Sequence, residues 1–168
     1  MSTAKQGEPG NRAEQVRRWF LGRLPDGWFT EPAEILVDRE EITVIGHLPA
    51  ASGGAAAAAP RFREGTRDQR VAIAREAEAM FGRKVSWGVS CEGRKVMFTT
   101  LSVPVMTRLR QSERRVLDTL VDAGVARSRS DALAWCVRLV GEHEDPWLAD
   151  LREALRRVEQ VRADGPRA

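Results

Sequence analysis

Two stretches of the first hundred residues carry apolar side chains at helical spacing. Over residues 12–24 apolar positions recur every fourth residue, which predicts a helix with Asn11 as its N-terminal cap. The same spacing predicts a second helix that begins near Arg61 or Thr66 and is ended by Gly82. The apolar positions are Val16, Phe20 and Leu24 in the first helix and Ile73, Ala77 and Phe81 in the second.

Alternating apolar and polar residues follow each of these helices. A period of two is typical of a strand with one buried face, and turn-forming residues lie between the paired stretches. Each pair is therefore predicted to form a β-hairpin, one around Asp38 and the other across Cys91 to Arg94. The four strands are expected at residues 34–37, 42–48, 84–89 and 95–99.

The order of these elements predicts an α+β protein whose pattern changes after residue 100. Residues 1–10 have the polar composition of a disordered tail, and 11–100 are expected to form a helix–hairpin–helix–hairpin unit. Within that unit, residues 49–60 combine prolines, paired glycines and a run of five alanines and are expected to be a mobile linker. A strand–helix–helix module is expected over 101–143 and a C-terminal amphipathic helix over 144–163.

The strand of this module is predicted over 101–109, where apolar and polar residues alternate. A helix over 112–123 follows, and Gly124 is the expected left-handed residue at its end. A second helix begins at Ser128 or Ser130. The inward stripe of the first helix is Val116, Leu117, Leu120 and Val121, and that of the second is Ala132, Leu133, Cys136, Val137 and Val140.

The last predicted helix begins at Asp145, which is the cap, and the proline that follows suits the first helical position. Its apolar residues recur at steps of three and four. Such a narrow apolar seam is suited to packing on a neighbouring helix or on a second copy of the chain. The seam consists of Leu148, Leu151, Leu155 and Val158.

Three short phrases follow one another between residues 101 and 140. They are Val105-Met-Thr-Arg-Leu109, Val121-Asp-Ala-Gly124 and Ser128-Arg-Ser-Asp-Ala-Leu133. In this order they resemble the ribbon-helix-helix superfamily of DNA-binding proteins, and the glycine followed by the second helix entry is the most specific part. The resemblance covers under a quarter of the chain. It implies that the strands of two copies pair as a ribbon that enters the major groove of DNA.

The resemblance also implies a role for the outward face of the ribbon and for the start of the second helix. Arg108 would offer a bidentate fork to guanine, and Met106 an apolar contact to a thymine methyl group. Free N–H groups at the second helix, together with nearby side chains, would hold DNA phosphates. The phosphate contacts are assigned to Arg110, Ser128, Arg129 and Ser130, and the dimer ribbon to Val103, Val105, Thr107 and Leu109.

The strand partner of residues 101–109 is left open by the sequence. Pro104 cannot donate a ladder hydrogen bond, so its nitrogen must point outward from the ribbon. The segment also follows directly on the predicted strand 95–99. It therefore pairs either with its copy in a second chain or with that strand in its own chain. Arg110 stands where members of the superfamily often carry proline.

Charge is spread unevenly along a chain whose net charge is +3. Residues 61–100 carry nine Lys/Arg against five Asp/Glu, and residues 101–140 carry seven against four. Residues 1–60 and 141–168 each have a net charge of −2. The basic middle of the chain indicates a polyanionic partner.

The sequence has no pattern typical of a metal site, a cofactor or a membrane span. Cys91 and Cys136 lie far apart and the two histidines are isolated, so no zinc spacing exists. The first ten residues lack the apolar stretch of a signal peptide, and no apolar run approaches the length of a membrane span. A cytoplasmic protein without a cofactor is predicted.

The leading hypothesis is a homodimer, or a higher even oligomer, that binds double-stranded DNA as a bacterial transcriptional regulator. The N-terminal unit or the C-terminal helix would be available to a protein partner. A partner-binding module without DNA readout is the first alternative, and an RNA-binding protein that uses the basic region 61–100 is the second. Catalysis is not expected. The tryptophans considered for base stacking are Trp19, Trp28 and Trp87, and the residues considered for a metal-dependent nuclease are Glu34, Asp38, Glu40, Glu41 and His47.

Overall fold

The computed structural model describes residues 9–49 and 54–164, and it divides the chain into two compact units between Val103 and Pro104. Within the described residues, unit 1 holds three helices and a four-stranded sheet, and unit 2 holds three helices. The α+β class predicted from the sequence is confirmed. In chain order the elements are α1 (Pro9–Arg23), β1 (Glu34–Val37), β2 (Glu41–His47), α2 (Gly54–Gly65), α3 (Arg67–Phe81), β3 (Lys84–Cys91), β4 (Arg94–Met97), α4 (Gln111–Asp122), α5 (Arg129–His143) and α6 (Asp145–Asp164).

The sheet of unit 1 has the order β1-β2-β3-β4. The outer pairs are antiparallel hairpins, and β2 and β3 pair parallel in the centre. Parallel neighbours need a crossover connection, which α2 and α3 provide. In the first turn, Asp38 Oδ1 accepts from the N–H groups of Glu40 and Glu41 at 2.8 and 2.7 Å. In the second turn, Glu92 and Gly93 both have positive φ, as a two-residue hairpin turn requires.

Helices α1 and α3 cover one face of this sheet. Val16 and Phe20 of α1 are buried together with Ile73 and Ala77 of α3, at the four-residue steps seen in the sequence. Burial of each large apolar side chain contributes about 1.5–3 kcal/mol to folding. Unit 1 therefore has a core of its own. The sheet residues that complete it are Ile35, Ile42, Val44 and Trp87.

The prediction of a mobile linker over 49–60 is wrong in the part that the structure describes. Helix α2 begins at Gly54, and residues 50–53 lie outside the described residues. Alanine has the highest helix propensity, and Ala58 and Ala59 are buried where α2 packs against β3. Propensity and burial together outweigh Pro60, which stands inside the helix.

Several predicted helix boundaries also differ from the structure. Helix α1 begins at Pro9, so Asn11 lies inside the helix rather than at its cap. Residues 1–8 of the predicted tail lie outside the described residues. The second predicted helix is divided at Thr66, whose N–H and hydroxyl both donate to a carbonyl in the last turn of α2. Gly82, with φ 66°, ends α3 as predicted.

Helices α4 and α5 of unit 2 are joined by a turn built on Gly124. Gly124 has φ 74°, and its N–H donates to the carbonyl of Val121 at 3.0 Å. The N–H of Val125 donates to the carbonyl of Leu120 at 2.9 Å. These two bonds form a Schellman motif, which satisfies the last carbonyls of α4 and needs a residue that tolerates left-handed backbone.

The apolar core of unit 2 is small. Among its described residues, three apolar side chains are buried: Leu117, Ala126 and Ala132. The stripes predicted to face a core on α4 and α5 are therefore only partly covered. Five more apolar side chains pack against these three and are only partly buried, so the core of this unit is shallow in the single chain. The exposed members of the two stripes are Val116, Val137 and Val140, with exposed fractions of 55%, 66% and 48%.

Candidate nucleic-acid interface

Residues 101–109, here called the ribbon segment, have no regular secondary structure. Within the described part of the chain, no backbone hydrogen bond joins this segment to a strand. Strand β4 is an edge strand that pairs with β3. The pairing of the segment with residues 95–99 of the same chain, which the sequence left open, is therefore absent. Apart from the Leu109 carbonyl, which accepts from Arg114, the backbone groups of the ribbon segment make no backbone hydrogen bond to a described residue and can pair with another strand.

The ribbon segment also exposes apolar side chains. Val105 is 85% exposed and Met106 is 97% exposed, and Val103 and Thr107 are exposed as well. Leu109 differs because it packs against the buried cluster of unit 2. A run of exposed apolar residues beside an incompletely covered helix pair indicates an interaction surface.

Two side chains of α4 fix the backbone at the end of the ribbon segment. Glu113 Oε2 accepts from the N–H of Arg110 at 2.6 Å, which satisfies one of the free donors at the helix start. Arg114 Nη1 donates to the carbonyl of Leu109 at 2.7 Å. Arg110 is the N-terminal cap residue of α4, and Glu113 binds its N–H, a group that proline lacks. Its side chain is exposed.

Ser128 begins α5 as its N-terminal cap. Its Oγ accepts from the N–H of Asp131 at 3.2 Å, and Asp131 Oδ2 accepts from the N–H of Arg127 at 3.1 Å. That bond from Arg127 is the main reason why the pKa of Asp131 lies below its ordinary value. The side chain of Arg127 is 94% exposed. Arg127 was not among the phosphate contacts predicted from the sequence, although it stands directly before the cap of α5.

Arg129 is the first residue of α5, and its guanidinium is bound by Asp118 of α4. Nε donates to Oδ1 at 2.6 Å and Nη2 donates to Oδ2 at 2.9 Å. These hydrogen bonds lower the pKa of Asp118 and raise the pKa of Arg129. This bidentate ion pair connects α4 to α5. A phosphate bound by Arg129 would have to compete with Asp118, because Nε and Nη2 of the guanidinium already donate to that carboxylate.

The predicted contact residues fall into two groups. Ser128, Arg129 and Ser130 lie together at the start of α5, and Ser130 is exposed. Met106 and Arg108 lie on the ribbon segment ahead of α4, and both are exposed. The first group is held by the cap and the Asp118 pair, whereas the second has no fixed partner strand in the single chain.

The tryptophans considered for base stacking lie in an aromatic cluster of unit 1. Trp19 meets Phe81 edge to face with ring centroids 5.7 Å apart, and Trp28 meets Phe62 in the same way at 5.4 Å. Trp87 is buried. Trp19 and Trp28 are partly buried, so these ring contacts leave less of the three rings exposed for stacking on bases.

Two of the residues considered for a nuclease site lie close to a side chain of opposite charge type. Glu34 pairs with Lys95 at 3.5 Å, and His47 lies 3.4 Å from Glu31. Within residues 9–49 and 54–164, no group of three or more His, Cys, Asp or Glu side chains is arranged to hold a metal ion. Over the same residues, no helix is long and apolar enough to cross a membrane.

The described residues form an α+β protein of two units, and the ribbon segment contains the residues at which the first unit ends and the second begins. Residues 14–97 match the family model of the Rv1265-like protein N-terminal domain, and residues 110–162 match that of the Mb1296 C-terminal domain. The chain belongs to the Rv1265-like family. It is 53% identical to the uncharacterized proteins Rv1265 of Mycobacterium tuberculosis H37Rv and Mb1296 of Mycobacterium bovis, over 99% of this chain and 80% of each relative. No solved structure matches the chain.

Proposed function

We propose that the protein is a cytoplasmic, homodimeric DNA-binding protein of the ribbon-helix-helix type that regulates transcription in bacteria. Two ribbon segments would pair antiparallel and enter the major groove as a two-stranded ribbon. One observation carries the proposal. An exposed apolar segment that pairs with no described strand lies directly before two helices whose own apolar stripes are one-third exposed. A second copy supplies both a strand partner and a cover for those stripes.

The pairing of strands and the packing of helices support each other in this proposal. A two-stranded ribbon alone is only marginally stable in water, so it needs an apolar surface beneath it. Val105 and Thr107 would form the inward face of the ribbon and pair the strands. Val116 and Val137, exposed in the single chain, would be covered by the partner's helices.

The opposite face of the ribbon would meet DNA. Successive side chains of a strand point to opposite faces, so Met106 and Arg108 project away from Val105 and Thr107. Arg108 can form two hydrogen bonds with guanine O6 and N7, and Met106 can contact a thymine methyl group. The position of these residues on an exposed segment is consistent with both contacts.

Phosphate contacts would come from the two helix starts, with one change from the sequence prediction. Arg110 and Ser130 are exposed and keep their assigned roles. Ser128 would contribute through the helix start that it caps. Arg127, rather than Arg129, would supply most of the positive charge: its Nε lies 3.7 Å from Asp131 but its side chain is 94% exposed, whereas Asp118 holds Arg129 in two hydrogen bonds. Affinity from such contacts falls steeply as salt concentration rises.

The test is selection of duplexes from a random-sequence pool, followed by binding measurements with the full chain across a salt series. Arg108→Ala is compared with Arg75→Ala, which removes the same charge from an exposed position on α3. Arg108→Ala is expected to weaken binding about 5- to 100-fold and to lose preference at one base position, as the loss of a bidentate base contact predicts. Arg75→Ala should bind like the wild type. Equal binding by the two variants, or no duplex binding by the wild type, would contradict the groove role.

Met106 allows a second comparison that leaves charge unchanged. Met106→Ala is expected to reduce the preference for thymine at one position, whereas Met80→Ala, an exposed methionine of α3, should not. A dimer that binds no duplex at any salt concentration would favour the partner-binding alternative. Tighter binding to single-stranded RNA than to duplex DNA would favour the RNA alternative.

A further inference from the structure

Helix α6 has almost no cover in the single chain. Of its residues whose burial is described, Leu148 is partly buried and the others are exposed. The helix contacts α5, and it continues for four turns beyond Leu148. Isolated helices are marginally stable in water, and most of their stability in proteins comes from packing of an apolar face. An amphipathic helix of this length therefore indicates a partner along its exposed face.

The apolar residues of α6 form one continuous stripe, here called the α6 seam. They recur at steps of four, four, three and three residues, which keeps them on one side of the helix. Ala149 lies on the opposite side, and charged residues border the seam. The members of the seam are Trp147, Leu151, Leu155, Val158 and Val161, with exposed fractions between 42% and 70%.

We propose that the α6 seam packs antiparallel against the α6 seam of a second copy of this chain. Asp150 and Arg157 border one edge of the seam, and Arg152 and Glu159 border the other. In an antiparallel pair, each edge faces the same edge of the partner. The register that sets Leu151 opposite Val158 of the second copy also sets Asp150 opposite Arg157 and Arg152 opposite Glu159. By symmetry each pairing occurs twice, so four complementary pairs flank the apolar contact.

The charge distribution along α6 selects the antiparallel direction. Residues 145–154 carry three acidic side chains and one basic one, whereas residues 155–164 carry three basic and two acidic ones. Antiparallel packing brings the acidic half against the basic half, and it also opposes the two helix dipoles favourably. Parallel packing would place halves of like charge side by side. Antiparallel packing is therefore favoured by charge at both ends.

The ion pairs now present within α6 do not oppose this arrangement. Arg152 lies 4.0 Å from Asp145, and Arg157 lies 3.8 Å from Glu153, with all four side chains more than half exposed. Exposed pairs of this kind contribute little. Their side chains can exchange partners when a second helix approaches. The α6 seam uses no residue of the ribbon segment, so this self-association is independent of DNA binding.

Disulfide cross-linking in the full chain tests the proposal. Ala154 lies beside the two-fold axis of the antiparallel register, so Ala154→Cys is expected to form a cross-linked pair of chains under mild oxidation. Ala149→Cys, on the outer side of α6, and Val161→Cys, far from the axis, should not. Cross-linking of Val161→Cys to itself would indicate parallel packing and overturn the proposal. No cross-linking of Ala154→Cys above the level of Ala149→Cys would overturn it as well.

Charge reversal in the Ala154→Cys background also distinguishes antiparallel from parallel packing of the two α6 helices. Asp150→Arg and Arg157→Asp are each expected to slow cross-linking several-fold, because each places like charges opposite one another twice. The double variant Asp150→Arg/Arg157→Asp restores complementarity in the antiparallel register and should restore the rate. In parallel packing the introduced arginine would lie near Arg152 of the second copy, and the double variant would stay slow. A double variant as slow as the single ones would therefore contradict the proposal.

Discussion

Arg129 at the start of α5 donates two hydrogen bonds to Asp118 of α4, from Nε at 2.6 Å and from Nη2 at 2.9 Å. The pair joins the two helices of a unit whose described core holds three buried apolar side chains. An exposed ion pair usually contributes little, but bidentate geometry and a small core both raise its importance. This contact therefore positions the start of α5, where DNA phosphates are proposed to bind.

Removing this pair is expected to destabilise unit 2 in a pH-dependent manner. The pKa of Asp118 is lowered in the folded state, mainly by its hydrogen bonds from Arg129. Its stabilising effect is therefore present above the ordinary aspartate pKa and is lost as pH falls through the lower folded pKa. Asp118→Asn should lower the thermal midpoint at neutral pH, and the difference from the wild type should disappear in acid. Asp122→Asn, on the same helix, is the control and should show no such trend.

The turn between α4 and α5 is expected to reject a side chain at Gly124. Its φ of 74° is strained for alanine, so Gly124→Ala should cost about 1 kcal/mol in free energy of unfolding. Gly141 lies inside α5, and a Cβ there would meet no atom within 4 Å. Gly141→Ala should therefore stabilise by about 0.5–1 kcal/mol through helix propensity. Urea titrations of both variants measure the difference, and equal midpoints would contradict the turn geometry.

The sheet of unit 1 is expected to reject a side chain at Gly46. A Cβ at this position would overlap the ring of Phe29, so Gly46→Ala forces the ring or the strand to move. Overpacking of this kind costs about 1–3 kcal/mol. Gly22→Ala in α1, where the Cβ meets nothing within 4 Å, is the control. The thermal midpoint should fall for Gly46→Ala and rise for Gly22→Ala. A Gly46→Ala midpoint equal to that of the wild type would refute the contact.

The proposed dimer is expected to be lost when charge enters the ribbon segment. Val105→Asp places a carboxylate on the inward face of the ribbon, where it would be buried without a partner. The variant should lose the strand pairing, and it should bind duplex DNA more weakly than Arg108→Ala does. Val71→Asp, an exposed valine of α3, controls for the added charge. Duplex affinity retained by Val105→Asp would argue against the ribbon.

The sequence predicted those parts of unit 1 in which local pattern and burial agree. The four-residue spacing of Val16 and Phe20 predicted α1, and the alternation of Ile42 and Val44 predicted β2. Residues 54–60 of α2 were predicted as a mobile linker, because the flanking prolines and glycines favour a loop. Burial of Ala59 against the sheet is a tertiary effect that local composition does not contain.

In unit 2 the turn residues were predictable, but the contacts between helices were not. Gly124 and the Ser128 cap follow from local backbone rules, and both occupy their expected positions. The pairing of Arg129 with Asp118 joins two helices across a turn, at a spacing for which no periodic rule exists. Periodicity also identified the stripe that contains Val137, but it could not indicate what covers that stripe.

Amide hydrogen exchange shows directly whether the ribbon segments of two copies pair. In the single chain, residues 101–109 make no backbone hydrogen bond to a strand among the described residues. Pairing between two copies would protect alternate amides of this segment, at positions such as Val105 and Thr107, and dilution should remove the protection. We expect the peptide that covers 101–109 to be protected in a concentration-dependent manner. Exchange as fast as that of an unstructured peptide at every concentration would contradict it.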